Sequence, residues 1–214
     1  MYLLCIRGTL NTKDNETART THNATAGNPD GVKAAQALGD LSHKVFVPAT
    51  ENTGELLILD IWRDPSGIEK FFSDKNVQEG GAKLFKARDP VVAMPAEGAF
   101  TFALQAPMHK EERYVGLIRG VVKNAREAVA AMSAGLKEGL SQSRQRGQLA
   151  HELYFKLEKP AADGSAELIG VDLWCDFKGM MAAYEQHTEA MMPLFKERPA
   201  MSVWKQPQGS WVEW

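Results

Sequence analysis

The side chains best suited to proton chemistry lie in the first half of the chain, where His22 and Asn23 are adjacent in a Thr-rich segment, residues 11–27. A histidine exchanges a proton near neutral pH, and a neighbouring amide can orient a carbonyl group. We interpret the segment as a long loop, and long loops inside compact domains are often functional. The alternative interpretation is a solvated polar loop without a catalytic role.

An acid and an indole end a predicted strand over residues 55–62. Asp60 and Trp62 share one face of that strand because alternate residues point to the same side. Arg7, among apolar residues of another predicted strand, is the expected ion-pair partner of Asp60. This set could bind a flat ligand in a pocket. The alternative is a structural Arg–Asp pair beside a packed tryptophan. The second half of the chain repeats the pattern with Arg119, Asp172 and Trp174.

Two further histidines stand at positions where chemistry is possible. His43 begins a predicted strand and could act as a base in a pocket, or else as a structural histidine. His187 lies on a predicted helix after Trp174. The histidines and cysteines lack HxH, HExxH and CxxC spacings, so we predict no metal site. The candidate catalytic residues are His22, Asn23 and His43, and the candidate substrate-binding residues are Asp60, Trp62, Arg7, Trp174 and His187.

The elements that carry these residues occur twice. YLLCIRG at residues 2–8 returns as YVGLIRG at 114–120, and GDLSH at 39–43 returns as GQLAH at 147–151. A nearly constant shift along the whole chain indicates internal duplication of one folding unit. We assign residues 1–106 to the first repeat and residues 107–214 to the second. The His22–Asn23 pair has no counterpart in the second repeat.

Each repeat is predicted to have the order βαββαβ, which is the ferredoxin-like arrangement. Residues 211–214 are predicted as a strand that corresponds to one over residues 100–104. One such sheet exposes an apolar face, and two sheets placed face to face would cover both. We therefore expect an α+β protein in which two ferredoxin-like repeats form one dimeric-type α/β barrel within the chain.

The strands that end in Trp62 and Trp174, each followed by a capped helix and a Phe-Phe or Leu-Phe pair, resemble the dimeric α/β-barrel superfamily. Within it the chain is most similar to antibiotic-biosynthesis-monooxygenase (ABM) domains. The resemblance implies O₂ chemistry without a bound cofactor, with the substrate as electron source. Trp62 and Asp60 would then line the pocket, while His22 and Asn23 would handle protons and orient an aromatic or quinone-like substrate.

Two alternative hypotheses accompany this one. Some haem-degrading members of the superfamily use an asparagine on the first strand, a tryptophan at the end of the third and a helix histidine. By position these would be Asn124, Trp174 and His187 in this chain, which implies a haem-binding or haem-degrading relative. The other alternative is a barrel that binds a small ligand without catalysis.

The net charge and the length of the apolar runs exclude some classes of binding partner. Lys plus Arg number 25 and Asp plus Glu 27, for a net charge of −2, and no basic face is evident. This argues against binding to nucleic acid or to an anionic membrane surface. No apolar run approaches the ~20 residues that a membrane span requires. We predict a cytoplasmic protein with a small-molecule ligand, no nucleic-acid partner, no membrane partner and scope for a homodimer.

Overall fold

The computed structural model describes residues 1–103, 113–158 and 161–214, which divide into two compact units. The first unit comprises Met1–Ala93 and Gln206–Trp214, and the second comprises Met94–Lys205. The predicted boundary between residues 106 and 107 lies outside the described residues.

The first unit has a four-stranded antiparallel sheet in the order β4-β1-β3-β2. Helices connect its strands in ferredoxin-like order, two in each connection. The elements are β1 (Tyr2–Leu10), α1 (Asn15–Ala24), α2 (Pro29–Ala37), β2 (Asp40–Pro48), β3 (Glu55–Trp62), α3 (Pro65–Ser73), α4 (Lys75–Leu84) and β4 (Phe85–Pro95).

The second unit repeats this plan with single long helices. Its sheet has the order β9-β6-β8-β7-β5, and all of these pairings are antiparallel. The two ferredoxin-like repeats confirm the predicted α+β class. None of the helices in the described ranges is long and apolar enough to span a bilayer. The elements are β5 (Phe102–Ala103), β6 (Tyr114–Val122), α5 (Ala125–Gln145), β7 (Gln148–Lys156), β8 (Ala166–Trp174), α6 (Phe177–Met191), a 3₁₀ turn (Met192–Leu194) and β9 (Ala200–Lys205).

The prediction of a loop over residues 11–27 is wrong, because residues 15–24 form helix α1. Asp14 caps this helix by accepting a hydrogen bond from the Thr17 N–H at 2.9 Å. The Thr20 and Thr21 hydroxyls each donate to the backbone carbonyl four residues earlier, at 2.9 Å. Threonine is thus accommodated within the helix, although the Thr-rich composition of the segment is typical of a loop. Only a narrow face of α1 is buried, and its buried residues are Ala18 and His22.

The prediction of a strand over residues 211–214 is also wrong. These residues have no regular secondary structure and belong to the first unit. There Trp214 exchanges backbone hydrogen bonds with His43, at 2.8 and 3.3 Å. Of the corresponding strand predicted over residues 100–104, the structure has the short β5, while residue 104 lies outside the described residues.

The predicted pairing of Arg7 with Asp60 is wrong as well. Arg7 lies opposite Leu57 and Asp60 lies opposite Leu4 in the β1–β3 ladder, so the two side chains point to opposite faces of the sheet. Arg7 instead forms an ion pair with Glu55 at 2.8 Å. Strand alternation locates residues on the two faces of one strand, but the register between strands decides which faces coincide. In the second repeat, Arg119 likewise pairs with Glu167.

The face of the first sheet that carries Asp60 packs against the helices. Trp62 is completely buried there, with its ring centroid 5.6 Å from that of Phe71. The rest of this core is aliphatic and aromatic, and its main strand contributors are Leu4, Ile6, Leu56 and Ile58.

The corresponding face of the second unit is filled by Tyr184 from α6. Its hydroxyl donates to Asp172 Oδ2 at 3.0 Å. A Cβ added at Gly116 would lie 1.6 Å from this hydroxyl oxygen, so the ring occupies the space left by the missing side chain. The first repeat has Leu4 at the position of Gly116 and has no such tyrosine.

We expect Gly116→Ala to destabilise the protein by roughly 1–3 kcal/mol, because the new methyl group forces Tyr184 to move and weakens its bond to Asp172. In a Tyr184→Ala background the same change should be neutral or slightly stabilising, since the clash is absent. Urea unfolding of the four proteins in this double-mutant cycle measures the difference. Gly135→Ala, on a helix with open space around the site, is the matched control and should stabilise. Equal costs of Gly116→Ala in both backgrounds would contradict the packing argument.

Candidate functional site

The first unit contains a cavity of about 570 Å³ between the sheet and the helices. Most of its wall is apolar, contributed by side chains such as Ile6, Ile58, Phe71 and Phe72. Three buried polar side chains also reach the wall, all of them from the strands β2 and β3: Asp40, His43 and Asp60.

A chain of hydrogen bonds leads from the cavity wall into helix α1. His43 Nδ1 lies 2.7 Å from Asp60 Oδ1, and His43 Nε2 lies 3.0 Å from His22 Nε2. His22 Nδ1 in turn lies 3.0 Å from Asn23 Oδ1. His22 is completely buried, while His43 and Asp60 are each 4% exposed. The register of β2 and β3 positions the first contact, because His43 stands directly opposite Asp60.

Residues 210–214 enclose this chain from one side. Trp214 stacks on the His43 ring with the ring centroids 4.5 Å apart, and the ring centroid of Trp211 lies 5.1 Å from that of His22. Glu213 accepts a hydrogen bond from the Val45 N–H at 2.7 Å. The segment therefore holds both imidazole rings in place with aromatic surface.

The buried histidines differ in their proton affinity. Burial lowers the pKa of His22 to about 4, and the charge of His43 acts in the same direction, while the hydrogen bond with Asn23 opposes it. Burial also acts to lower the pKa of His43, but the neighbouring carboxylates, with Asp60 as the main contributor, together raise the pKa above its usual value. The charges of Asp40 and Glu213 contribute to this rise. An imidazolium on His43 is therefore favoured over one on His22.

Asp40 is the acid of the site that titrates near neutral pH. Burial raises its pKa to about 7, and the neighbouring charge of Asp60 adds to the rise, while His43 opposes it. The Ser42 N–H donates to its Oδ1 at 3.2 Å. A carboxyl group with a pKa near the working pH can both accept and release a proton during a reaction.

The structure brings some of the predicted residues together and separates others. Asp60 and His43 line the cavity. His22 and Asn23 lie directly behind them, and they belong to helix α1 and not to a loop. Trp62 shares the Asp60 face of the sheet but is packed in the core and is not among the residues that line the cavity. Arg7 lies on the other face. Trp174 and the half-buried His187 belong to the second unit.

Sequence reasoning missed Asp40, Trp211 and Trp214. One signal for Asp40 was present, because the repeated motif has an aspartate at residue 40 where the second repeat has Gln148. A difference between two copies of one motif marks a position where the copies have diverged in chemistry. The two tryptophans carried no comparable signal.

Of the hydrogen-bonded series in the first repeat, the second repeat keeps only the histidine–aspartate pair between its two paired strands. His151 Nδ1 lies 2.6 Å from Asp172 Oδ1, and Gln148 Nε2 donates to the same oxygen at 2.9 Å. His151 Nε2 has no hydrogen-bond partner among the described residues. The Asp–His pair is therefore common to both repeats, whereas the second histidine and the titrating aspartate belong to the first.

No group of three or more His, Cys, Asp or Glu side chains within the described ranges is arranged to hold a metal ion. In the hydrogen-bonded series from Asp60 to Asn23, the side chains bond to each other and to the backbone of Ser210 and Val212. Their arrangement is suited to accepting, holding and returning protons at the cavity wall.

Comparison with known proteins gives a likeness of structure alone. No protein-family model and no curated protein matches the sequence. A candidate monooxygenase from Lactobacillus acidophilus NCFM is 12% identical, with a TM-score of 0.63 over 97% of each chain. An anthrone oxidase-like protein is 14% identical, with a TM-score of 0.66 over 97% of this chain and 91% of that one. A Listeria monocytogenes ferredoxin-fold protein related to antibiotic biosynthesis monooxygenases is 10% identical, with a TM-score of 0.51 over 98% and 96%.

We expect Asp40→Asn to make the protein less sensitive to alkaline pH. The folded-state pKa of Asp40 is about 7 and its ordinary value is 3.8, so its contribution to stability is present at acidic pH and is lost as the pH rises through about 7. The amide of the variant keeps an acceptor for the Ser42 N–H without this loss. The advantage of the variant in the free energy of unfolding should grow from pH 4 to pH 8.5 and reach roughly 2–4 kcal/mol.

The matched test introduces a carboxyl group at Gln148, the position in the second repeat that corresponds to Asp40. Gln148→Glu places a carboxyl group beside Asp172 and should introduce a loss of stability at alkaline pH. Urea unfolding at pH 4, 5, 6, 7 and 8.5 measures both effects. Parallel stability curves for Asp40→Asn and the unaltered protein would contradict the raised pKa.

Proposed function

Since the chain has the fold of the ABM type within the dimeric α/β-barrel superfamily, we propose that it is a cofactor-independent monooxygenase acting on a small aromatic or quinone-like substrate. The observation that carries the proposal is the position of Asp40, His43 and Asp60 on the wall of a largely apolar cavity. The likeness to an anthrone oxidase-like protein supports the same class of substrate.

The cavity suits a flat, mostly apolar molecule. Its volume of about 570 Å³ lies within the range that is usual for small-molecule sites, roughly 300–1,000 Å³. Phe71 and Phe72 provide aromatic surface on the helix side, and Ile6 and Ile58 form the floor on the sheet. A polyphenol or anthrone would place its rings against these side chains and its acidic C–H or O–H group towards the strands.

Asp40 is the proposed general base. Its carboxylate takes the proton from the substrate, and the bonding electron pair remains on the substrate as a carbanion or phenolate. This anion reduces O₂ and forms a carbon–oxygen bond. The O–O bond then breaks, and a CH₂ group becomes a carbonyl group while the second oxygen atom leaves as water with both hydrogens. All of the electrons come from the substrate, so the reaction requires no external reductant.

His43 and Asp60 are proposed to stabilise the charges that form during this reaction. A protonated His43 held by Asp60 places a positive charge at the cavity wall without exposing it to water. Such a fixed charge favours an anionic substrate intermediate, because a preorganised group needs no reorientation when the charge appears. His22 and Asn23 lie behind His43 and act on the substrate only through it.

The two alternatives make different demands on the structure. A non-catalytic ligand-binding barrel requires a cavity but has no need for a titrating carboxyl group on its wall. The haem alternative rests on Asn124, Trp174 and His187. Asn124 caps α5 by accepting the Glu127 N–H at 3.1 Å, and Trp174 is 1% exposed, so these contacts do not favour it. A homodimer and a cytoplasmic location stay predictions from the sequence.

Oxygen uptake tests the proposal. We expect anthrones to give enzyme-dependent O₂ consumption, with kcat/KM rising through an apparent pKa near 7. Asp40→Asn should lower kcat/KM by about 10²–10⁴, the usual contribution of a general base, and should abolish the rising limb. Asp163→Asn, which removes a surface carboxyl group of the second unit, is the control and should leave turnover unchanged.

A thermal-shift screen with the same compounds and with hemin separates the alternatives. Binding at a hundredfold excess over Kd stabilises a protein by about 2.7 kcal/mol. A compound that raises Tm without O₂ uptake would support the ligand-binding barrel. A hemin shift that His187→Ala removes would support the haem alternative. Full activity of Asp40→Asn at pH 8 would exclude Asp40 as the base.

A further inference from the structure

The amide of Asn23 can adopt only one orientation in this structure. Its Nδ2 donates to the Ser210 carbonyl at 2.8 Å, and its Oδ1 accepts from the Val212 N–H at 3.0 Å. Rotating the amide by half a turn would bring two carbonyl oxygens together at Ser210 and two N–H groups together at Val212. The backbone of residues 210–212 therefore fixes which atom of Asn23 faces His22, and that atom is the carbonyl oxygen.

This orientation determines the tautomer of His22. Because Asn23 Oδ1 can only accept, His22 Nδ1 must carry the proton of their 3.0 Å hydrogen bond. In a neutral His22 the other nitrogen, Nε2, then has a lone pair and can only accept. His22 is fully buried, so bulk solvent does not compete for either nitrogen.

The tautomer of His22 in turn determines the state of His43. The two Nε2 atoms are 3.0 Å apart, and the lone pair on His22 requires a proton on His43 Nε2. His43 Nδ1 faces the Asp60 carboxylate at 2.7 Å and must donate there as well. A histidine that donates through both nitrogens is an imidazolium.

We propose that Asn23, oriented by the backbone of Ser210 and Val212, is a positioning residue that places the shared proton of the buried histidine pair on His43 and keeps His22 neutral. The pair then holds one proton more than two neutral rings. It holds that proton on the ring that lines the cavity, beside Asp60. Asn23 ends the chain, because an amide oxygen accepts a hydrogen bond but does not pass a proton on.

The charged groups around His43 agree with this assignment. Asp60 faces it from β3, Asp40 from its own strand β2, Glu213 from residues 210–214 and His22 from α1. The three carboxyl groups all favour a proton on His43. The two ring nitrogens of His22 face His43 and an amide, and burial lowers the pKa of His22 to about 4.

The substitution Asn23→Asp tests the role of the amide with almost no change in shape. A carboxylate beside His22 Nδ1 would favour the charged form of His22. Its Nε2 would then gain the proton and donate to His43 Nε2, which would become an acceptor. We expect the protonation of the two Nε2 atoms to change in opposite directions, with a gain at His22 and a loss at His43.

Asn52→Asp is the matched control. The Asn52 amide also donates to a backbone carbonyl, that of Lys13 at 2.8 Å, and accepts a backbone N–H, that of Gly54 at 3.0 Å. The control therefore introduces the same charge and removes the same kind of hydrogen bond in the same unit, with no histidine as partner. It should leave the protonation of His22 and His43 unchanged.

Nitrogen NMR of the full chain labelled with ¹⁵N-histidine, at pH 7, provides the measurement. The unaltered protein should show His43 with both nitrogens protonated and His22 protonated at Nδ1 alone, with assignments from His22→Gln and His43→Gln. A neutral His43 in the unaltered protein would overturn the proposal even if the variant failed to fold. So would an unchanged pattern in folded Asn23→Asp, or an equal change in Asn52→Asp. The readout is protonation and not turnover, so it does not depend on the proposed oxygenase activity.

Discussion

The contact between the two buried Nε2 atoms of His22 and His43 is the interaction on which the site depends. Two ring nitrogens 3.0 Å apart form a hydrogen bond only when one has a proton and the other a lone pair. That condition links a helix, two strands and the segment near residue 214, since each supplies a group that decides where the proton lies. It also explains why two histidines and an aspartate are tolerated inside one core, because both nitrogens of each ring and the Asp60 carboxylate have hydrogen-bond partners.

The two repeats share one scaffold but differ in the groups that surround the same Asp–His pair. Both keep an Asp–His pair across the second and third strands of their sheets, and both end the third strand in a buried tryptophan. In the first repeat the space over this pair is a cavity. In the second, Tyr184 fills it and donates to Asp172. The shared pair therefore belongs to the fold, and the groups that differ between copies are the ones that suggest chemistry.

Prediction from the sequence succeeded where the signal was local. The strands that end in Trp62 and Trp174, the capped helices that follow them and the ferredoxin-like order follow from alternation, capping residues and the repeated motif, whereas the strand predicted over residues 211–214 does not form. Helix α1 was missed because a segment rich in Thr and Asn has the composition of a loop, whereas in the structure the Thr20 and Thr21 hydroxyls are satisfied within the helix. Arg7 was assigned to Asp60 because the sequence contains no information on the register between β1 and β3.

The sequence by itself determined the repeat and the α+β class, and it made His22, Asn23, His43 and Asp60 candidate site residues. Only the tertiary structure decided that these four form one chain, that Asp40 joins them at the cavity wall and that Trp211 and Trp214 cover the rings. The physical reason is separation along the chain. Proton affinity depends on burial and on charges a few ångströms away, and here those charges come from residues 40, 60 and 213, which meet only after folding.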